Sequence, residues 1–168
     1  MPDKSTIERA EEDLREGKSS KTAAGEFVHE EIEHVREGKH GVRSPQQAIA
    51  IGLSKARRAG IPVAPPAKGK TKESTRVRAE RDYEKGQSND REKPSPRTSR
   101  AREEVLKREP RSTASHRALS KQAKTASRSR TSKERHDAAV KAVKTKGKTG
   151  LKRAAKKAAN TRTKKKAA

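Results

Sequence analysis

Twelve of the chain's 19 Val, Ile, Leu and Phe residues fall within its first 63 positions, and the other seven are scattered over the remaining 105. Any sizeable hydrophobic core must therefore be built near the N-terminus. These 19 residues are about 11% of the 168, below the roughly 20% under which a highly charged chain reads as disordered. One Phe, one Tyr and no Trp complete the apolar inventory. A large globular enzyme with a buried active site is nearly ruled out on these grounds, and the chain reads as non-enzymatic.

Charge is segregated in the opposite sense. Lys and Arg number 45 against 22 Asp and Glu, a net charge of +23. Residues 1–60 carry 11 basic and 11 acidic side chains, so the whole excess lies beyond them. Residues 111–168 hold 20 basic residues and two acids, Glu134 and Asp137. With no cysteine, neither a disulfide framework nor a thiolate metal site can form. No apolar run approaches the roughly 20 residues that span a bilayer. Met1-Pro2-Asp3-Lys4 leads into acidic sequence rather than an apolar signal region, and a cytoplasmic setting is expected.

The fold expected is mostly α, with no sheet. A small N-terminal helical hairpin or three-helix head occupies residues 1–63. A disordered linker covers 64–100, and a largely disordered basic tail with short transient helices covers 101–168. In the head, Ser5 and Glu8 have capping-box spacing and Gly17 closes the first segment. Ala24, Phe27, Val28, Ile32 and Val35 recur at helical spacing between Ser20 and Gly38. Ser44-Pro45-Gln46-Gln47 supplies a cap, a first-turn proline and a capping-box glutamine for a third helix ending at Gly60. So small a core is marginal, and homodimerisation through the Phe27 face is one remedy. In the tail, helix-competent patches cover 101–109, 115–128, 132–144 and 151–159. Repulsion between their charges should keep them frayed in water.

The tail is the strongest functional signal. Each Lys or Arg that meets a phosphate releases condensed counterions, which gives affinity without sequence reading. The residues expected to bind nucleic acid are Arg128, Arg130, Lys141, Lys144, Lys146, Lys148, Lys152, Arg153, Lys156, Lys157, Arg162, Lys164, Lys165 and Lys166. A secondary basic patch is expected at Lys55, Arg57 and Arg58. Readers of single strands and RNA stack bases on aromatic rings, and two aromatic residues cannot furnish such a platform. Duplex DNA is thus the expected partner, with RNA or the ribosome as an alternative and no membrane. Pro94-Ser95-Pro96-Arg97 is a little like the Ser-Pro-basic motifs of minor-groove binders, but a proline-containing linker accounts for it equally well.

The remaining motifs fail on spacing. His29-Glu30-Glu31-Ile32-Glu33-His34 has Glu33 where a zinc-protease motif needs its second histidine. Glu26 with His29, and Glu31 with His34, have the Glu-x-x-His spacing of di-iron bundles, which need two such helices and further carboxylates. An acidic solvent face is the simpler reading, so no metal and no cofactor are expected. Gly17-Lys18-Ser19, Gly69-Lys70-Thr71 and Gly147-Lys148-Thr149 lack the upstream glycine of a phosphate loop. The turn from Gly38 to Ser44 is longer than a helix-turn-helix uses. A second functional reading makes the acidic second helix a protein-interaction surface, for a basic partner or for the chain's own tail.

The segment from Gly25 to Gly41 and the segment Arg43-Ser44-Pro45-Gln46-Gln47-Ala48-Ile49-Ala50-Ile51-Gly52-Leu53-Ser54-Lys55-Ala56-Arg57-Arg58-Ala59-Gly60 together resemble an uncharacterised family of small basic bacterial proteins, a domain of unknown function. The resemblance covers residues 1–65 or so. It implies a bacterial, cytoplasmic setting and brings no activity or site residues. Ala154–Ala168 is similar to the Lys/Ala-rich tails of linker-histone-like bacterial proteins. The function expected is that of a histone-like, nucleoid-associated protein that binds DNA without sequence preference.

Overall fold

The computed structural model describes residues 2–88 and 95–166, with backbone only at Lys146 and at 164–166. Among the described residues there is no strand. The helices are α1 (Lys4–Arg15), α2 (Ser20–Glu37), α3 (Pro45–Arg58), α4 (Glu73–Gln87), α5 (Pro96–Lys107), α6 (His116–Arg128) and α7 (Ser132–Lys166), with a 3-10 turn at Ser112–Ala114. They fall into two units, Met1–Gln122 and Ala123–Ala168.

The first unit is organised around α2, which packs against both α1 and α3. Ser19 caps α2 by accepting from Thr22 N, and Gly38 closes it in the left-handed region at φ 82°. Ser44 caps α3, with Pro45 in its first turn. The glutamine of that expected capping box turns elsewhere, since Gln47 Oε1 accepts from Arg43 N at 2.8 Å. The expected Ser5–Glu8 box does not form. Asp3 stands at the N-cap of α1, which places Ser5 inside the helix.

Apolar burial forms two clusters. Ala10, Ala23, Ala24, Phe27, Ala56, Ile61 and Val63 make the larger, and Val35, Val42, Ala48 and Ala114 the smaller. Phe27 is fully buried within the chain, so the face considered for dimerisation is already covered.

The expected disorder beyond residue 63 is overturned. Much of the linker is helix α4, which packs on α3 through small residues, Ala79 and Gly86. Polar contacts add to this: Ser54 Oγ donates to Asp82 Oδ2 at 2.5 Å, and Gln87 Nε2 donates to Gly60 O at 3.2 Å. Residues 106–114 then return to the α2–α3 turn as a strap. Gly41 N donates to Leu106 O at 2.8 Å and Val42 N to Pro110 O at 3.2 Å. Arg36 Nε donates to Ala114 O at 3.0 Å, and Ala114 is buried against Val35, Val42 and Ala48. These contacts carry the first unit well past residue 63. The Ser-Pro motif also has a local explanation, because Ser95 caps α5 and Pro96 fills its first turn; Pro94 lies outside the described residues.

The tail is helical as well, in place of the disordered tail expected. Its helices rest on local terms. Thr131 and Glu134 form a reciprocal capping box, with Thr131 N donating to Glu134 Oε2 at 2.8 Å and Glu134 N to Thr131 Oγ1 at 3.2 Å. Ala, Lys and Arg, all strong helix formers, fill most of the helix beyond this cap. Apolar composition gauges the ability to bury a core and carries no information on this intrinsic preference. One interruption divides α7: Gly147 has φ 63° and ψ 173°, outside the helical region.

Candidate nucleic-acid interface

The basic helix α7 begins with Glu134 and Asp137 near its capped end, and no Asp or Glu occurs from residue 138 onward. Twelve Lys and Arg residues lie in that stretch. Beyond the Gly147 break, Lys148, Lys152 and Lys156 follow one i, i+4 row, and Arg153 and Lys157 an adjacent one. Ala154, Ala155, Ala158 and Ala159 fill the intervening positions.

All the expected phosphate contacts whose side chains are described are exposed. Arg128, Arg130, Lys141, Lys144, Lys148, Lys152, Arg153, Lys156, Lys157 and Arg162 all face solvent. Among the described residues, none of the ten forms a salt bridge with a carboxylate. The side chains of Lys146, Lys164, Lys165 and Lys166 lie outside the described residues. Nine Lys and Arg residues occupy 148–166, a segment about 28 Å long at about 1.5 Å per residue. That is one positive charge roughly every 3 Å, about half the linear charge density of a duplex. Val140 and Val143 are exposed at 52% and 48%, so this helix is held by its backbone and caps more than by burial.

The secondary patch expected on α3 does not assemble as a surface. Lys55 turns inward, its ammonium 2.7 Å from Glu31 Oε2 and 3.7 Å from Glu30 Oε1. Arg57 is buried and donates from Nε to Val63 O at 3.1 Å; burial draws its guanidinium below its ordinary pKa. Arg58 lies 3.5 Å from Asp82 and also donates to Ser54. Three neighbouring cations at the end of a helix look like a basic face in sequence, yet Lys55 and Arg57 turn into the fold and Arg58, though exposed, is paired with Asp82.

The acidic face expected on α2 is likewise divided. Glu30 and Glu31 are 5% and 1% exposed. Glu26 pairs with Arg9 at 2.8 Å, Glu33 with Arg36 at 2.7 Å and Glu37 with Lys39 at 3.1 Å. The buried pair had no local signature in the sequence, because its partners, His40 and Lys55, come from beyond the turn and from α3.

These features define a class: a small helical head joined in sequence to a basic helix that carries no carboxylate from residue 138 onward. Residues 15–68 match a family described as "Family of unknown function (DUF6496)", a segment of about a third of the chain that takes in α2, α3 and the turn after them. No curated protein and no solved structure matches the chain. Among the described residues, no helix is long and apolar enough to cross a membrane.

Proposed function

We propose that the chain is a non-enzymatic, histone-like protein that binds duplex DNA through its basic arm, chiefly residues 138–166, without reading base sequence. The observation that carries this reading is the carboxylate-free run of exposed Lys and Arg on α7. Such a surface neutralises phosphates and displaces their counterions. Two aromatic residues leave little basis for stacking single-stranded bases, which favours a duplex over single-stranded RNA. A nucleoid setting follows from this partner. The alternative, an interaction surface on α2, has less support because most of that helix's acids are buried or paired within the head.

The test is fluorescence anisotropy of labelled duplex DNA over a range of salt, with the full chain. Six to ten phosphate contacts give a log–log salt slope of about −5 to −9. Replacing Lys152, Arg153, Lys156 and Lys157 together by Gln preserves helix preference and should flatten the slope by about 3–4. A slope near zero, or one that the four replacements leave unchanged, refutes the reading. Stronger retention on structured RNA in direct competition would transfer the proposal to RNA.

A further inference from the structure

The head contains a second site, unrelated to the arm's positive charge. Glu30 and Glu31 lie side by side on α2 at 5% and 1% exposure. A carboxylate at such depth needs a cation or donors close by. Lys55 supplies one positive charge, 2.7 Å from Glu31 Oε2, for two negative ones. Neither oxygen of Glu31 receives a hydrogen bond, and neither does Glu30 Oε1.

The groups facing these oxygens are metal ligands by type. His40 Nε2 lies 3.2 Å from Glu31 Oε1. His34 Nε2 lies 3.9 Å from Glu30 Oε1 and 3.7 Å from Asp3 Oδ2. Two sets of three donors result, Glu31–His34–His40 and Asp3–Glu30–His34, each with its donor atoms within 4.8 Å of one another. Both imidazole side chains are largely buried, at 13% and 14% exposure.

His40 provides an independent indication. Its Nδ1 is 3.1 Å from Gly41 O, and a carbonyl oxygen can only accept, so Nδ1 carries the proton. In the neutral ring Nε2 then presents a lone pair toward a carboxylate oxygen that no donor satisfies. A backbone carbonyl that fixes the tautomer in this way is one of the usual partners of a metal-bound histidine. Glu30 and Glu31 contribute two buried negative charges and Lys55 one positive charge, so the site is net negative; Asp3, at its edge, is largely exposed.

We propose that Glu31, His34 and His40 bind a divalent transition-metal ion of the Zn2+ class, with Glu30 and Asp3 completing the charge around it. Two imidazoles and a carboxylate suit Zn2+ better than Mg2+ or Ca2+, which prefer all-oxygen shells. Tetrahedral donors about 2.0–2.1 Å from zinc stand about 3.3 Å apart. The 3.2 Å His40–Glu31 separation matches that spacing, and the other donor atoms of the set lie within 4.8 Å. The ion would tie α2 to the turn after it and make the head a metal-stabilised domain.

The experiment uses the untagged full chain, stripped with a chelator, and follows Zn2+ binding by calorimetric titration and by the melting temperature of the head. One equivalent of Zn2+ should bind. At free Zn2+ a hundredfold above Kd, the melting temperature should rise by about 10 °C, while Mg2+ at the same concentration leaves it unchanged. Co2+ in place of Zn2+ should give visible absorption that His40→Ala abolishes and His29→Ala, a substitution outside the donor set on the same helix, retains. Lys55→Met keeps all the ligands and removes the competing ammonium, so its melting temperature should fall without metal and rise by more than that of the parent chain with Zn2+. Absence of stoichiometric binding, an equal response to Mg2+, or loss of the signal in His29→Ala refutes the site. So does a Lys55→Met protein that is destabilised yet unaffected by Zn2+, which would identify the cluster as a buried ion-pair network alone.

Discussion

Gly52 lies where α3 crosses α2, and the structure leaves no room there for a side chain. A Cβ at this position would stand 2.7 Å from Val28 Cα and 2.9 Å from both Phe27 O and Val28 N. All three atoms are backbone, so no side chain can swing aside. Carbon atoms pack best at about 3.5–4.0 Å, and Gly52→Ala must push the helices apart by about 1 Å. Overpacking of this kind costs about 1–3 kcal/mol, against which alanine returns about 1 kcal/mol of helix preference. The expected net loss is about 0–2 kcal/mol. Gly25 is the internal control: it lies on α2, is exposed, and its added Cβ meets nothing within 4 Å. Gly25→Ala should therefore gain about 0.5–1 kcal/mol. At about 4 °C per kcal/mol for a domain of this size, the first variant should melt up to about 8 °C lower and the second about 2–4 °C higher. Differential scanning calorimetry suits the comparison, since its transition reports the unit that buries apolar surface. If Gly52→Ala stabilises as Gly25→Ala does, the close α2–α3 crossing is wrong.

Three further outcomes test the rest of the fold. Ala114→Asp places a charge in the pocket formed with Val35, Val42 and Ala48; it should cost at least about 2 kcal/mol, release the strap, and speed limited proteolysis within 106–122. Thr131→Ala removes one half of the capping box on α7, worth about 0.5–2 kcal/mol, and should accelerate amide exchange over the first turn of that helix. Gly147→Ala disfavours the left-handed backbone at the break and adds about 1 kcal/mol of helix preference, so helical circular dichroism of the full chain should increase; a decrease would contradict the local geometry.

Helix ends in the head were legible wherever the signal was local. Ser44-Pro45 and Gly38 mark their boundaries with side-chain chemistry that needs no tertiary partner, and they stand in the structure where the sequence places them. Ser5 with Glu8 shows the limit of spacing alone, because Asp3 two residues earlier takes the cap position. Helix α4 was hidden because it docks through Ala79 and Gly86, residues that add nothing to a count of large apolar side chains. The strap was hidden because its ties to residues 41 and 42 are backbone hydrogen bonds from more than 60 positions away. Periodicity assigned Glu30 and Glu31 to solvent for a related reason: the cation that accompanies them, Lys55, comes from the next helix and lay within what read as a basic surface patch. The tail's charge was plain in the sequence, but its helices were not, since composition measures the capacity to bury a core and α7 has almost none to bury.

The break at Gly147 changes what that helix can do on a curved surface. An unbroken 35-residue rod would be about 52 Å long, well beyond the roughly 34–36 Å of one duplex turn. A straight rod meets a cylinder along a limited arc and then departs from it, and its outer lysines would point into solvent. Residues 132–146 and 148–166 make rods of about 22 Å and 28 Å, each shorter than a turn. Joined at one residue free to occupy left-handed backbone, they can lie along two tangents in succession, like the links of a bracelet.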